Sequence, residues 1–340
     1  MKISIFGYFH LADGYLAFAD SIRNEHSVSF FPLMAYVKDN IDSTEITVQK
    51  FLEGGLDMNS THYYHNMVLP DYNLGVPDVL LFWVPAVDVS QLVIEIRKFY
   101  SGKIIFHNWD PNYTEINHQH WVGQTKALLV NAKQSDCVLT VNPLEVEFYK
   151  RNGIKSVHCY SGFCEKYSYL VDDANYKCDV SAVITNLYTD SVWDLNRQKI
   201  NRKKLIDDLY ADKSINLKIY GPEKFRSQYP DSYVREIRYN ECNKVFSNSR
   251  VNLCVHAISI DGYLSERAAQ IIGSKGLLYT DNVIGLNFIP GQDYVLVKND
   301  AYQQIKDLLK TNIPEVIAEN GYNKRNSLDW SRLMDLIKEI

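Results

Sequence analysis

The stretch "GYLSERAAQIIGSKGLLYTDN", Gly262 to Asn282, gathers three polar side chains at the start of a short helical pattern: Glu266, Arg267 and, one turn on, Gln270. The amides of a first helical turn lack intrahelical acceptors and, with the helix dipole, favour an anion such as phosphate. Gly262 lets the backbone approach closely, and the amides of Gly262, Tyr263 and Leu264 lie where a phosphate would meet them. A cation early in a helix opposes the dipole unless an anion sits before it, which makes Arg267 informative. Arg267 and Gln270 are three residues apart and share a face, so one can address phosphate while the other bonds a sugar hydroxyl. The bland alternative is a solvated polar face with Glu266 as an ordinary first-turn carboxylate.

A second set of candidates lies early in the chain. "FGYFHLADGY" puts His10 and Asp13 just after an apolar run, where a histidine oriented by a carboxylate can take a proton from a hydroxyl. "HNWDPNY" concentrates His107, Asp110 and Asn112 around the turn-setting Pro111. For each histidine taken singly, loop decoration is the commoner role.

These residues need elements to position them. The chain has 340 residues, enough for two domains, and its hydrophobic content of 46% with 23% charged residues is ordinary for a globular protein. The net charge of −5 disfavours a nucleic-acid partner. Six cysteines without a C-x-x-C pair read as reduced thiols, and no metal site is expected. "MKISIFGYFHLADGY" is too short and too broken for a signal peptide or a membrane span, which predicts a soluble cytoplasmic protein with peripheral membrane contact left open.

Short β-branched and aromatic runs alternate with helical patterns, as in parallel βαβ units. "KISIF", "SVSFFPL", "DVLLFWV", "KIIFHNW", "CVLTVN" and "SVHCYSG" read as strands of a first half, with "PLEVEFYKRNG" a helix closed by Gly153. The polar tract Cys164 to Lys177 reads as a linker. The pattern then restarts with "DVSAVIT", "NRKKLIDDLYA", "NLKIYG", "NECNKVFSNSR", "VNLCVHA" and "GLLYTD". From Tyr302 onward two helical patterns follow, the second capped by Ser327 or Asp329. The expected organisation is residues 1–163 as an acceptor-binding Rossmann-like domain, 164–177 as linker, and 178–326 as a nucleotide-sugar-binding Rossmann-like domain. Residues 327–340 form a terminal helix packing back on the first domain. Open parallel sheets bind ligands beyond the carboxyl ends of their strands, so two doubly wound domains are expected to face a central cleft.

From about Asp179 to Asn299 the sequence resembles the nucleotide-binding half of GT-B-fold glycosyltransferases, in particular the group that includes the CgeB-like spore-maturation glycosyltransferases. "DVSAVITNLY", "NRKKLIDDL", "NLKIYGP", "KVFSNSRVNLCVHA" and above all "GYLSERAAQIIGSKGLLYTDNVIGL" carry the likeness. In that family an arginine precedes, by one turn, an acidic residue that holds the donor's ribose hydroxyls. Arg267 falls on the arginine, Gly276 on the final glycine and Gln270 on the acid, which is a departure: an uncharged amide makes a weaker contact. "YLSER" also resembles the Thr-Glu-Lys segment of GT-B fucosyltransferases, a register in which Glu266 and Arg267 serve ribose and phosphate. Both registers stay open.

The same likeness implies further donor contacts. Asn186 follows the first strand of this half, and one of Arg202, Lys203 and Lys204 reaches the diphosphate. Tyr220 and Gly221, with Ile237 and Tyr239, occupy loops that surround the base; Tyr239 is a stacking candidate and Ile237 a backbone contact. His256 ends a strand beside the phosphate loop, with a satisfied core histidine as the alternative. Asp110 matches a cleft aspartate of the resembled group. The implied activity is transfer of a sugar from a UDP-, GDP- or dTDP-linked donor to a glycan or other hydroxyl acceptor, with no further cofactor and no metal. Helix amides and basic residues would neutralise the diphosphate, and Asp110, His10 and Asp13 are the candidate bases. A noncatalytic sugar or nucleotide-sugar binder, suggested by Gln270, and another GT-B enzyme such as a nucleotide-sugar epimerase are the alternatives.

Overall fold

A computed structural model describes residues 1–7, 14–32, 77–83, 88–109, 119–188 and 200–340. The chain forms two units, Met1–Tyr160 with Trp330–Ile340, and Ser161–Asp329.

The first unit is built on a parallel six-stranded sheet, β1 (Lys2–Gly7), β2 (Ser27–Pro32), β3 (Val79–Trp83), β4 (Lys103–Asn108), β5 (Cys137–Thr140) and β6 (Ser156–His158). Their spatial order is β2-β1-β3-β4-β5-β6. The helices are α1 (Gly14–Ile22), α2 (Ser90–Arg97), α3 (Gln119–Ala132) and α4 (Pro143–Arg151). β3 is buried along its whole length, as a strand covered on both faces must be. Phe6, Phe82 and Phe106 occupy one register row of three neighbouring strands, and their rings stack at 4.5 and 4.9 Å. α4 starts where Asn142 accepts from the Leu144 amide and Pro143 fills the first position, which needs no amide hydrogen. Trp330, from the far end of the sequence, packs against Phe18, Trp83 and His107, and α11 (Arg332–Glu339) belongs to this unit with it.

The second unit repeats the plan. Its strands are β7 (Cys178–Val183), β8 (Leu217–Tyr220), β9 (Tyr233–Arg235), β10 (Ser249–Cys254), β11 (Leu278–Thr280) and β12 (Val295–Leu296). They run parallel in the order β12-β11-β10-β7-β8-β9. The helices are α5 (Arg202–Ala211), α6 (Lys224–Gln228), α7 (Cys242–Asn248), α8 (Glu266–Gly273), α9 (Ala301–Leu309) and α10 (Ile313–Asn323). Val180, Ala182, Ile219, Val251, Leu253 and Tyr279 form the centre of its core. In this order the chain leaves β7 to one side for β8 and later returns on the other side as β10. The β7/β10 boundary is therefore the switch point at which open α/β sheets bind ligands.

Three local findings differ from the sequence reading. The tract Cys164–Lys177 lies within the second unit, where the amides of Val171 and Asp173 donate to Ser247 and Asn248. From Ala301 onward the chain forms three α-helices rather than two, because Lys310–Asn312 interrupts the first pattern and Pro314 sits in the first turn of the next helix. The last helix begins after Ser331, neither Ser327 nor Asp329 capping it: Asp329 is extended and pairs with Phe163.

Candidate functional site

The carboxyl edge of β7, β10 and β11 carries the most concentrated polar chemistry of the second unit. α8 begins there because Ser265, in extended conformation, takes the N-cap and its hydroxyl accepts from the Ala268 amide at 3.4 Å. Gly262 sits at φ +87°, a turn that a side chain disfavours. Its amide donates to Val283 at 2.9 Å and that of Tyr263 to Ile260 at 3.1 Å. This corrects the expectation that Gly262 and Tyr263 offer amides to phosphate, since the turn consumes both. The amides a helix leaves without intrahelical partners are instead those of Glu266 and Arg267. Leu264 is buried beneath the turn.

Arg267 extends from this first turn to the end of β7, where Nη1 donates to the carbonyl of Val183. Arg202, the first residue of α5, is 4% exposed. Its Nη1 donates to the Asn186 carbonyl at 2.8 Å and its Nη2 to the Val255 carbonyl, joining the chain beyond β7 to the chain beyond β10. The Tyr188 ring lies 4.3 Å from the guanidinium. Burial and the neighbouring Arg267 charge push Arg202 down to about 10. Neither arginine has a carboxylate partner among the described residues, and the Nε of each is buried without an acceptor. Backbone carbonyls, the Tyr188 side chain at Arg202 and the Cys254 sulfur at Arg267 are their partners, a set that leaves the desolvation of the buried Arg202 charge poorly offset.

Beside them lies a second network. His256, 6% exposed, hydrogen-bonds through Nδ1 to Asp281 Oδ1 at 2.7 Å, and its backbone amide donates to the same oxygen at 3.0 Å. The Ser259 hydroxyl donates to the other carboxylate oxygen. His256 Nε2 is 3.0 Å from Ser265 Oγ, and Cys254 Sγ lies 3.4 Å from that oxygen and 3.8 Å from Nε2. Burial alone would neutralise the imidazole, but Cys254 and Asp281 outweigh it and raise the group. The thiol of Cys254 is moved the other way: burial would raise it, and Arg267 and His256 bring it down. Tyr263 meets the His256 ring edge-on at 5.3 Å.

The remaining sequence candidates separate clearly. Gln270 is 4% exposed on α8, one turn beyond Glu266, and its Nε2 has no acceptor among the described residues. Glu266 accepts at 2.6 Å from the hydroxyl of Tyr239, which lies in a 3-10 turn, Tyr239–Glu241. Tyr239 is buried edge-on against Tyr167, so it is no open platform for a base. Tyr220 is likewise buried within β8 rather than in a loop. Gly221 follows it where an added Cβ would collide with the Ile184 carbonyl. Asn186 bonds the Tyr188 amide at 3.0 Å, and Ile237 is half-buried in the loop before the 3-10 turn. Lys204 points away: it is exposed and pairs with Asp208 at 2.5 Å on its own helix, as Lys203 does with Asp207. His107 lies buried against Trp83, ring centres 4.0 Å apart, and burial pushes it down to about 3. His10, Asp13 and Asp110 lie outside the described residues.

Sequence reasoning missed Tyr188, Cys254, Ser265 and Asp281. Asp281 ends the strand run "GLLYTD", and strand ends are where such sheets place ligand contacts, so that signal was available. Among the described residues no group of three or more His, Cys, Asp or Glu is arranged to hold a metal. Among them, too, no helix is long and apolar enough to cross a membrane.

Residues 197–332 match a family described as "Glycosyl transferase-like". No curated protein matches the sequence significantly. Anabaena Alr3699/HepE, solved with UDP-glucose, superimposes with a TM-score of 0.63 at 10% identity, covering 100% of this chain and 98% of that one. An alpha-glucosyltransferase solved with UDP and a mismatched DNA gives 0.59 at 11% identity, covering 99% of each chain. A UDP-forming trehalose-phosphate synthase from Burkholderia xenovorans gives 0.57 at 11%, covering 99% and 98%. The chain has the two-domain GT-B fold, and a glycosyltransferase-like segment spans the second unit's arginines, helix α8 and buried histidine.

Proposed function

We propose that the protein is a glycosyltransferase that moves a sugar from a nucleoside diphosphate donor to a hydroxyl acceptor. The observation that carries this reading is the pair Arg202, buried, and Arg267, half-buried: two guanidiniums without carboxylate partners among the described residues, at the β7/β10 switch point beside the first turn of α8. A diphosphate supplies the missing negative charge and the missing acceptors together. Glu266, fixed by Tyr239, accepts from ribose hydroxyls, and Gln270 donates its free amide hydrogen to the same sugar. In the reaction the bond from the anomeric carbon to the diphosphate oxygen breaks and the acceptor oxygen bonds that carbon. The acceptor proton passes to a base or to the leaving phosphate. The arginines and helix amides hold the leaving charge, so these residues supply the stabilisation that a metal supplies elsewhere.

The glycosyltransferase-like match over 197–332 and the UDP-bound structural neighbours support a uridine donor. The finer likeness to the CgeB-like group rests on the α8 segment. We assign the acceptor to the first unit, with His10, Asp13 and Asp110 as the candidate bases. DNA, with which one neighbour was solved, gains no support as the acceptor here from a net charge of −5. Gln270 in place of an acid favours one second reading, a binding protein without turnover. Thermal shift with UDP, GDP and dTDP, followed by slow hydrolysis of the matching sugar nucleotides, tests both. Stabilisation with hydrolysis supports the transferase, stabilisation alone supports the binder, and no response to any nucleotide refutes the site.

A further inference from the structure

We propose that Asp281, His256 and Ser265 form a positioning relay in which the doubly protonated His256 ring behind the start of α8 fills an acceptor site of Ser265 and so frees the Ser265 hydroxyl hydrogen to donate to a phosphate oxygen of the nucleotide. The proposal rests on the donor-site reading above. Its basis is a count of hydrogens. Asp281 receives the His256 amide, the Ser259 hydroxyl and His256 Nδ1, a set of donors that suits only an ionised carboxylate and that fixes the Nδ1 hydrogen. His256 Nε2 then either accepts from Ser265 or, as part of an imidazolium, donates to it at 3.0 Å. Ser265 Oγ already receives the Ala268 amide, so a second hydrogen from Nε2 fills both of its lone pairs. The one hydrogen of the hydroxyl is then free to go to a third atom.

In the free protein that third atom is Cys254 Sγ at 3.4 Å. The thiol stands where the positive groups converge, which is why Arg267 and His256 both favour its anion against the cost of burial. A charged phosphate oxygen is a stronger hydrogen-bond acceptor than sulfur and binds such a donor better. The groups that face His256 are Cys254 from β10, Asp281 beyond β11, and Ser259, Tyr263 and Ser265 from the intervening loop, with Arg267 of α8 acting through Cys254. Asp281 is the one carboxylate among them.

The test uses the full chain with UDP as probe, across pH 5.5 to 8.5, together with nitrogen-15 NMR of the histidine rings. In the wild type, His256 should stay doubly protonated at pH 8, and UDP affinity should not fall between pH 6 and 8. Asp281→Asn should lower the pH at which His256 gives up its second proton and weaken UDP binding about tenfold at pH 8, with recovery at pH 5.5, the size expected for one charge-assisted contact. His256→Gln, which cannot carry charge, should bind weakly at every pH and serves if Asp281→Asn misfolds. Ser265→Thr keeps cap and hydroxyl and should bind better than Ser265→Ala. A neutral His256 at pH 8 in the wild type overturns the relay whatever UDP does. Wild-type pH dependence in Asp281→Asn also overturns it. A charged His256 with no UDP binding at all removes the donor-site reading and, with it, the phosphate end of the relay.

Discussion

The Tyr239 hydroxyl donates to Glu266 at 2.6 Å, tying the 3-10 turn before α7 to the first turn of α8. Both residues were candidates for direct nucleotide contact, and the bond gives them different tasks. Tyr239, buried and with its phenol held well above the usual range by burial and by the Glu266 charge, orients the carboxylate. Glu266, half-buried, is the member of the pair proposed to meet the ribose. Tyr239→Phe should lower unfolding free energy by about 1.5 kcal/mol, the low end for a charge-assisted bond because water can reach Glu266. Urea titration measures it, and an unchanged midpoint would mean the bond holds nothing.

Arg202 should show a conflict between stability and binding. It is buried without a carboxylate, so Arg202→Met should leave the melting temperature equal or higher, as when buried charges yield to apolar side chains. The nucleotide-induced shift should disappear. A variant that melts much lower, or that still responds to UDP, would show that the guanidinium serves packing.

Gly221 should tolerate no side chain. An added Cβ meets the backbone carbonyl of Ile184, which cannot move without dragging the end of β7. Gly221→Ala should cost roughly 1–3 kcal/mol by overpacking, while Gly291→Asn, at φ +80° with open space, should cost less, only the backbone strain that asparagine tolerates better than other side chains. Equal stability of the two variants would contradict the close approach.

The His256–Asp281 pair should give stability a distinct pH dependence. Burial opposes charge on His256, but Cys254 and Asp281 raise it to about 9, above its unfolded value near 6.5. Its contribution is therefore complete below about pH 6.5 and is lost as pH rises through about 9. Asp281 is shifted the opposite way: burial would raise it, and His256 brings it below 3.8, so its contribution is present above that value and lost as the solution becomes more acid. Cys254, held down to about 6 against 9.0, contributes with the opposite sign over the same window. Urea midpoints between pH 6.5 and 9 should therefore stay nearly level in the wild type, fall in Cys254→Ser, where Asp281 alone holds the imidazolium, and stay flatter in Cys254→Ser with Asp281→Asn. Parallel curves would remove the coupling.

Much of the fold was legible in the sequence. Continuous apolar runs such as "VLLFW" mark strands buried on both faces, and their alternation with helical patterns gives parallel sheets. The arginine at the start of α8 was legible because it opposes the helix dipole. Other assignments failed for physical reasons. Lys204 and Arg202 look alike in a helix start, but only side-chain packing decides that one bonds Asp208 in solvent and the other crosses to Val255. Tyr220 and Tyr239 read as loop residues, yet both are inward-facing, which one-dimensional position does not reveal. The partnership of His256 with Asp281 spans 25 residues, and neither residue announces the other.

The most direct measurement of the central claim is calorimetric titration of UDP into the wild-type protein and Arg267→Ala, without added metal. The account predicts binding to the wild type and a loss of about 1–3 kcal/mol in the variant, the worth of a charge-assisted contact to phosphate. Equal affinity in the two proteins, or no binding to the wild type, would contradict it.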